Sequence, residues 1–203
     1  MSAPRLILAS ASPRRRGLLR AIGVPVAAVT PAHIPEVPEP GEAPVAYAQR
    51  LARDKAAHVA RLSTPGDVVL AADTVVHFDG RIFEKPVDDV DAERILAELS
   101  GREHGVTTGW CVAQVGGVSV DGTVTARVRF RTLTPAMVAA YVSTGEGRDK
   151  AGAYGVQGLG AALVAEVSGS TSTVVGLPMD AVLAALSEVG IAPLLPHAPS
   201  DAP

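Results

Sequence analysis

The stretch Leu6-Ile7-Leu8-Ala9-Ser10-Ala11-Ser12-Pro13-Arg14-Arg15-Arg16-Gly17-Leu18-Leu19 constrains the fold more than any other part of the chain. Its leading aliphatic residues make a short buried strand. Ser10-Ala11-Ser12 is a tight polar turn. Ser12-Pro13 then opens a helix, because serine is a favoured N-cap and proline a favoured first helical residue. A strand that feeds a helix through such a turn leaves free backbone N–H groups at the helix start. Three arginines crowd that start, although the positive end of a helix prefers acids. One reading is a surface helix with solvated arginines. The other is an anion site without a Walker sequence, in which Arg14 and Arg15 give bidentate bonds to phosphate oxygens.

The remaining pattern mixes strands and helices. Residues 30–44 are rich in Pro and Glu and read as a loop. Residues 45–62 place Val45, Ala48, Leu51, Ala52, Ala56, Val59 and Leu62 on one helical face. Residues 67–76 contain the buried strand VVLAAD. Asp89 or Asp91 is expected to cap a helix ending at Ser100-Gly101. Residues 106–133 read as antiparallel strands around Gly116-Gly117 and Asp121-Gly122. Val124, Ala126, Val128 and Phe130 alternate there with Thr125, Arg127, Arg129 and Arg131, a buried face against a solvated one. Thr134-Pro135 opens a helix to about Thr144. A strand over residues 161–167 and a helix over 178–189 follow. Parallel and hairpin-type connections together predict an α/β (α+β) chain with a mixed sheet.

Composition narrows the function. The chain has 203 residues, of which 47% are hydrophobic and only 3% aromatic, so its core is mostly aliphatic. Neither a repeat nor a linker divides it, which predicts one domain over residues 1–192 and a frayed Pro/Ala-rich tail over 193–203. A formal net charge of −3 argues against a general nucleic-acid binder. No apolar run approaches the ~20 residues of a membrane span, and the N-terminus lacks a signal-peptide pattern. Cys111 is the single cysteine, so no intrachain disulfide forms. A cytoplasmic protein is expected.

Several residues stand out as chemical candidates. Lys55 lies on the apolar stripe of its helix, where a lysine needs a carboxylate or phosphate partner or must reach out to water. Asp73 closes the run VVLAAD. At the end of a buried strand, a carboxylate can bind a metal or deprotonate water, or simply bond to a turn. Lys85, in Glu84-Lys85-Pro86, follows a hairpin at Asp79-Gly80 and can reach back over the strand. Glu36 is a possible second metal carboxylate. Residues 149–160 form a glycine-rich, flexible-backbone loop in which Gln157 offers a donor and an acceptor suited to a base edge. The five histidines lack metal-ligand spacing. GxSxG, P-loop and HExxH motifs are absent.

Taken in order, LILASASPRRRGLL, RLARDKA, LAADTVV, FEKP, LSGREH, DKAGAYGVQGLG and VVGLP resemble the Maf family of nucleoside triphosphate pyrophosphatases. The resemblance runs over about residues 6–186. It implies a Maf/ITPase-like fold: an elongated mixed sheet flanked by helices, with two lobes and a central cleft. It also implies a homodimer, and hydrolysis of a nucleoside triphosphate to the monophosphate and pyrophosphate with a divalent metal, Mg²⁺ or Mn²⁺. By the same resemblance Asp73 is the proton acceptor. Ser10, Arg14, Arg15, Lys55 and Lys85 hold the triphosphate, and Glu36 joins Asp73 at the metal. Arg14, Thr74 and Gln157 match positions tied to substrate choice. Gln157 points to the dTTP/UTP branch, because the branch acting on 7-methyl-GTP has glutamate there. The alternative is a nucleotide-binding regulator of cell division without turnover. A phosphomonoesterase is disfavoured, since Phe78-Asp79-Gly80 lacks a second nucleophile-motif aspartate.

Overall fold

The computed structural model describes residues 4–192. The expected tail lies outside the described residues. The elements run in the order β1 (Leu6–Leu8), α1 (Pro13–Ala21), β2 (Val26–Val29), α2 (Pro44–Ala60), β3 (Val68–Phe78), β4 (Arg81–Phe83), α3 (Asp89–Leu99), β5 (Glu103–Gln114), β6 (Ser119–Phe130), α4 (Pro135–Ser143), β7 (Val164–Ser168), α5 (Thr171–Val175) and α6 (Met179–Glu188). They build one mixed seven-stranded sheet of order β2-β1-β3-β5-β6-β7, with β4 paired to β3. The mixed α/β architecture expected from the sequence is present. Among the described residues no helix is long and apolar enough to cross a membrane.

The long strands β3 and β5 join two cores. At one end Leu6, Leu8, Leu70, Trp110, Leu177 and Leu186 pack an almost wholly aliphatic core under α1 and α6. At the other, Val76, Phe83, Leu96, Phe130, Tyr141 and Tyr154 pack under α3 and α4. The few aromatic residues are thus concentrated in one half. On the opposite face of the sheet, Ala52, Ala56 and Val59 of α2 pack on Val69 and Ala71. Gly109 allows that close approach, since a Cβ there would stand 2.2 Å from the Ala48 carbonyl oxygen.

The cleft arises from a break along one edge of β3. Strand β1 pairs with it only as far as Leu8 opposite Leu70. Strand β4 pairs from Val76 onward. Among the described residues, 71–75 therefore have no strand neighbour on that edge. On their other edge they continue to pair with β5, Asp73 opposite Gly109 and Thr74 opposite Thr108.

Four expectations are corrected. Asp73 is mid-strand, because the β-branched run Thr74-Val75-Val76 keeps its pairing with β5 and carries β3 to Phe78. Asp121-Gly122 is not a turn. It lies within β6, where the carboxylate of Asp121 is taken by Gln49 at 2.7 Å and Arg53 at 2.8 Å. The cap of α3 is Asp88, whose side chain accepts from the Asp91 N–H at 2.8 Å. Asp89 and Asp91 instead stand in the first turn, where carboxylates favour the helix dipole. Finally, the expected strand over 161–167 starts at Val164, because Gly158–Ala162 close into a 3₁₀ turn.

Candidate active site

The strand-turn-helix at the N-terminus forms as its residues dictate. Ser12 caps α1 by accepting from the Arg15 N–H at 3.4 Å. The three arginines then diverge. Arg16 is exposed. Arg14 reaches across to Asp149 at 3.3 Å. Arg15 turns inward, and its Nε donates to the Gly176 carbonyl at 2.8 Å. Its remaining nitrogens donate to Ser10 Oγ at 2.9 Å and to Thr74 Oγ1 at 3.0 Å. Burial lowers the Arg15 guanidinium from its ordinary value, the neighbouring Asp73 carboxylate opposes that fall, and Arg14 adds to it. A guanidinium has five N–H donors, so two remain for a ligand.

Proton bookkeeping fixes the hydroxyls behind Arg15. Thr108 Oγ1 donates to the Thr173 carbonyl at 2.8 Å. Its contact with Thr74 at 2.9 Å therefore has Thr74 as donor. Thr74 accepts from Arg15 and passes its own proton inward. The chain from Arg15 through Thr74 to Thr108 holds the guanidinium plane in place.

Asp73 and Thr74 face opposite sides of the sheet, as successive strand residues must. Asp73 continues the row of Val69 and Ala71 toward α2, where Lys55 stands among alanines. Lys55 and Asp73 are both buried, at 8% and 7% exposure. The Lys55 ammonium lies 2.6 Å from Asp73 Oδ1 and 2.8 Å from Glu36 Oε1. The partner that the apolar position demanded is thus a pair of carboxylates. The Pro/Glu-rich loop carrying Glu36 is held against α2 by Arg50. That residue donates to the Val37 carbonyl at 3.1 Å and to both carboxylate oxygens of Glu42 at 2.7 Å.

The far wall is the glycine-rich segment. It is not the flexible loop expected. Residues Ala151–Ala153 and Gly158–Ala162 form 3₁₀ turns, and Tyr154 donates to or accepts from buried His104 Nε2 at 2.8 Å. Gln157 is exposed at its apex, and its side chain makes no hydrogen bond among the described residues. Lys85 is likewise exposed, with neither a hydrogen bond nor an ion pair among the described residues.

One cavity of about 590 Å³ gathers these residues. All nine sequence candidates line it: Ser10, Arg14, Arg15, Glu36, Lys55, Asp73, Thr74, Lys85 and Gln157. Sequence reasoning passed over Tyr47, Glu84, Asp149 and Lys150, which line it too. It also passed over the supports Thr108 and Gly176, which stand outside it. VVGLP contains Gly176 and DKAGAYGVQGLG contains Asp149 and Lys150, so those motifs carried a signal. Tyr47 reads only as part of an apolar helix face. Burial pushes its hydroxyl up to about 12, and the carboxylates Asp73, Glu84 and Glu36 add to that, so it stays protonated.

A cleft with five lysine and arginine side chains around two converging carboxylates, set at a gap in a mixed α/β sheet, defines a protein for small polyanions. The chain belongs to the Maf family: the family model for Maf-like protein matches residues 5–189. A dTTP/UTP pyrophosphatase of Sphingopyxis alaskensis is 50% identical over 188 residues, covering 93% of this chain and 98% of its own. One of Anaeromyxobacter dehalogenans is 50% identical over 191 residues, covering 93% and 95%. One of Koribacter versatilis is 47% identical over 186 residues, covering 92% and 95%.

Proposed function

We propose that this chain hydrolyses dTTP and UTP to the monophosphate and pyrophosphate. The observation that carries the reading is the Lys55 ammonium held between Asp73 and Glu36 on the floor of a cleft whose rim is cationic. The names of its relatives support the same reaction. A cytoplasmic location, where these nucleotides are made and used, agrees with it.

The triphosphate lies along the Ser10–Arg15 wall. Backbone N–H groups, the spare Arg15 donors, Arg14 and Lys85 meet its oxygens. Arg14 exchanges Asp149 for phosphate. Asp73 takes a proton from water as the water oxygen bonds to the α-phosphorus. The bond from that phosphorus to the bridging oxygen breaks, and pyrophosphate leaves with the electron pair. Arg and Lys stabilise the charge that grows on it.

The donor set fits a divalent cation. Asp73 Oδ1 and Glu36 Oε1 already converge on one positive atom, and each carboxylate keeps a second oxygen. Among the described residues no three His, Cys, Asp or Glu side chains form a metal cage. Mg²⁺ ordinarily uses one or two carboxylates plus substrate phosphates, so Asp73 and Glu36 would suffice. When bound, it would neutralise phosphate charge and make the water more acidic.

Gln157 meets the base. Its neutral amide pairs with the N3–H and O4 of uracil or thymine, and offers no anion to a cationic methylated guanine. The test is a panel of dTTP, UTP, CTP, GTP and 7-methyl-GTP with Mg²⁺ or Mn²⁺, scoring pyrophosphate apart from orthophosphate. Pyrophosphate chiefly from dTTP and UTP, lost with chelator, is the expected result. Orthophosphate release, or binding without turnover, would overturn the reading.

A further inference from the structure

Gln157 is free at its side chain, yet its backbone is held at both ends. Ahead of it, the Gly155 N–H donates to the Tyr141 hydroxyl at 3.1 Å. Behind it, the Leu159 N–H donates to Glu146 Oε2 at 2.9 Å and the Gly160 N–H to Glu146 Oε1 at 2.8 Å. The two anchors are joined, because the Tyr141 hydroxyl donates to Glu146 Oε1 at 3.0 Å. Gly160 lets the ends of the loop touch, since a Cβ there would stand 2.0 Å from the Gly155 carbonyl oxygen. Residues 155–160 thus form a closed ring with Gln157 at its apex.

The clamp is itself fixed. Tyr141 is buried in α4. The Glu146 N–H donates to Thr144 Oγ1 at 3.2 Å, and the Lys150 ammonium donates to the Glu146 carbonyl. Burial pushes the Glu146 carboxyl up, but the Gly160 and Leu159 N–H groups and Tyr141 outweigh it and hold the carboxyl below its ordinary value. It is therefore an anion throughout the neutral range, able to accept all three bonds.

Two of these carboxylate bonds end on the segment that carries Gln157, and Glu146 does not line the cleft. We propose that Glu146, acting with Tyr141 through the backbone of residues 155–160, is the positioning residue for base selection. It sets where the Gln157 amide stands without touching the nucleotide. The inference rests on the reading that Gln157 meets the base.

The test measures kcat and KM of the full chain for dTTP, UTP, dATP and ATP with Mg²⁺, by pyrophosphate release. Gln157→Ala is expected to reduce the preference for dTTP and UTP, as a ratio of kcat/KM, by roughly tenfold. Glu146→Ala should reduce it as much, mainly through KM of the preferred nucleotides. Glu146→Gln, which loses one N–H acceptor, and Tyr141→Phe, which loses the bridge, should each cause a smaller reduction. Added to Gln157→Ala, Glu146→Ala should reduce the ratio no further. Should Glu146→Ala not fold, Glu146→Gln and Tyr141→Phe decide the matter. Clamp variants that slow all four nucleotides equally, while Gln157→Ala alters the ratio, would overturn the clamp and leave the Gln157 reading standing. An unaltered ratio in Gln157→Ala would overturn both.

Discussion

The two walls of the cleft place charge in opposite ways. Along residues 10–15 the charge is in front: Arg14 and Arg15 face the cavity, and the neutral acceptors Thr74, Ser10 and the Gly176 carbonyl stand behind Arg15. Along residues 155–160 the charge is behind: Gln157 is neutral, and the Glu146 carboxylate accepts from the backbone N–H groups of Leu159 and Gly160. The first wall suits the triphosphate that every nucleotide shares. The second suits the base, the part that differs. Damage to Arg15 should therefore affect all nucleotides alike, and damage to the second wall should alter their ranking.

The floor between the walls tests the chemistry common to both. Asp73→Asn should lower kcat for every nucleotide by roughly 10²–10⁴-fold while thermal unfolding stays near that of the parent. A fall of less than tenfold would remove Asp73 as proton acceptor. Arg15→Lys keeps the charge but loses the fork that reaches Gly176, Ser10 and Thr74 together. Its kcat/KM should drop roughly 10–100-fold, equally for dTTP and ATP. A change in their ratio would show that the walls are not separate.

On the other wall, Gly160→Ala forces a methyl group against the Gly155 carbonyl. It should cost about 2 kcal/mol in urea unfolding and weaken base preference before it weakens phosphate handling. The smallest effect concerns His104, whose ring packs edge-on against Phe130 and Tyr154. Burial, aided by nearby His77, lowers it to about 4. Its folded form binds a proton less readily than the unfolded chain, whose histidine titrates near ~6.5. The stability it contributes is thus complete above that value and is lost as pH falls toward 4. Between pH 7 and pH 5 the loss should be about 2 kcal/mol. His77 is also lowered by burial, so the comparison is with His104→Gln. That variant should lose less stability over the same interval, and an identical loss would exclude His104 as the source.

Much of this site was legible before any coordinates. The Ser12 cap, the Pro13 start and the inward strand are local, set by a few neighbouring residues. Lys55 on an apolar stripe announced a missing anion. Other features depend on distant segments. Asp121-Gly122 has turn chemistry, but a turn already made at Gly116-Gly117 leaves it inside β6, where Gln49 and Arg53 hold the aspartate. The glycine-rich segment is held by hydrogen bonds with Glu146, Tyr141 and His104, which lie outside it.

By itself, then, the sequence determined most of the elements and the mixed sheet, since spacing, capping and burial of side chains are near-neighbour properties, and its resemblance to the Maf family supplied the nine residues that line one cavity. Only the tertiary structure decided which charges meet. That Lys55 lies between Asp73 and Glu36, that Arg15 is braced while Arg14 crosses the cleft, and that Glu146 holds the backbone of residues 159–160 all follow from segments brought together by the fold. Coulombic and hydrogen-bonding forces act over a few ångströms of space, whatever the distance along the chain.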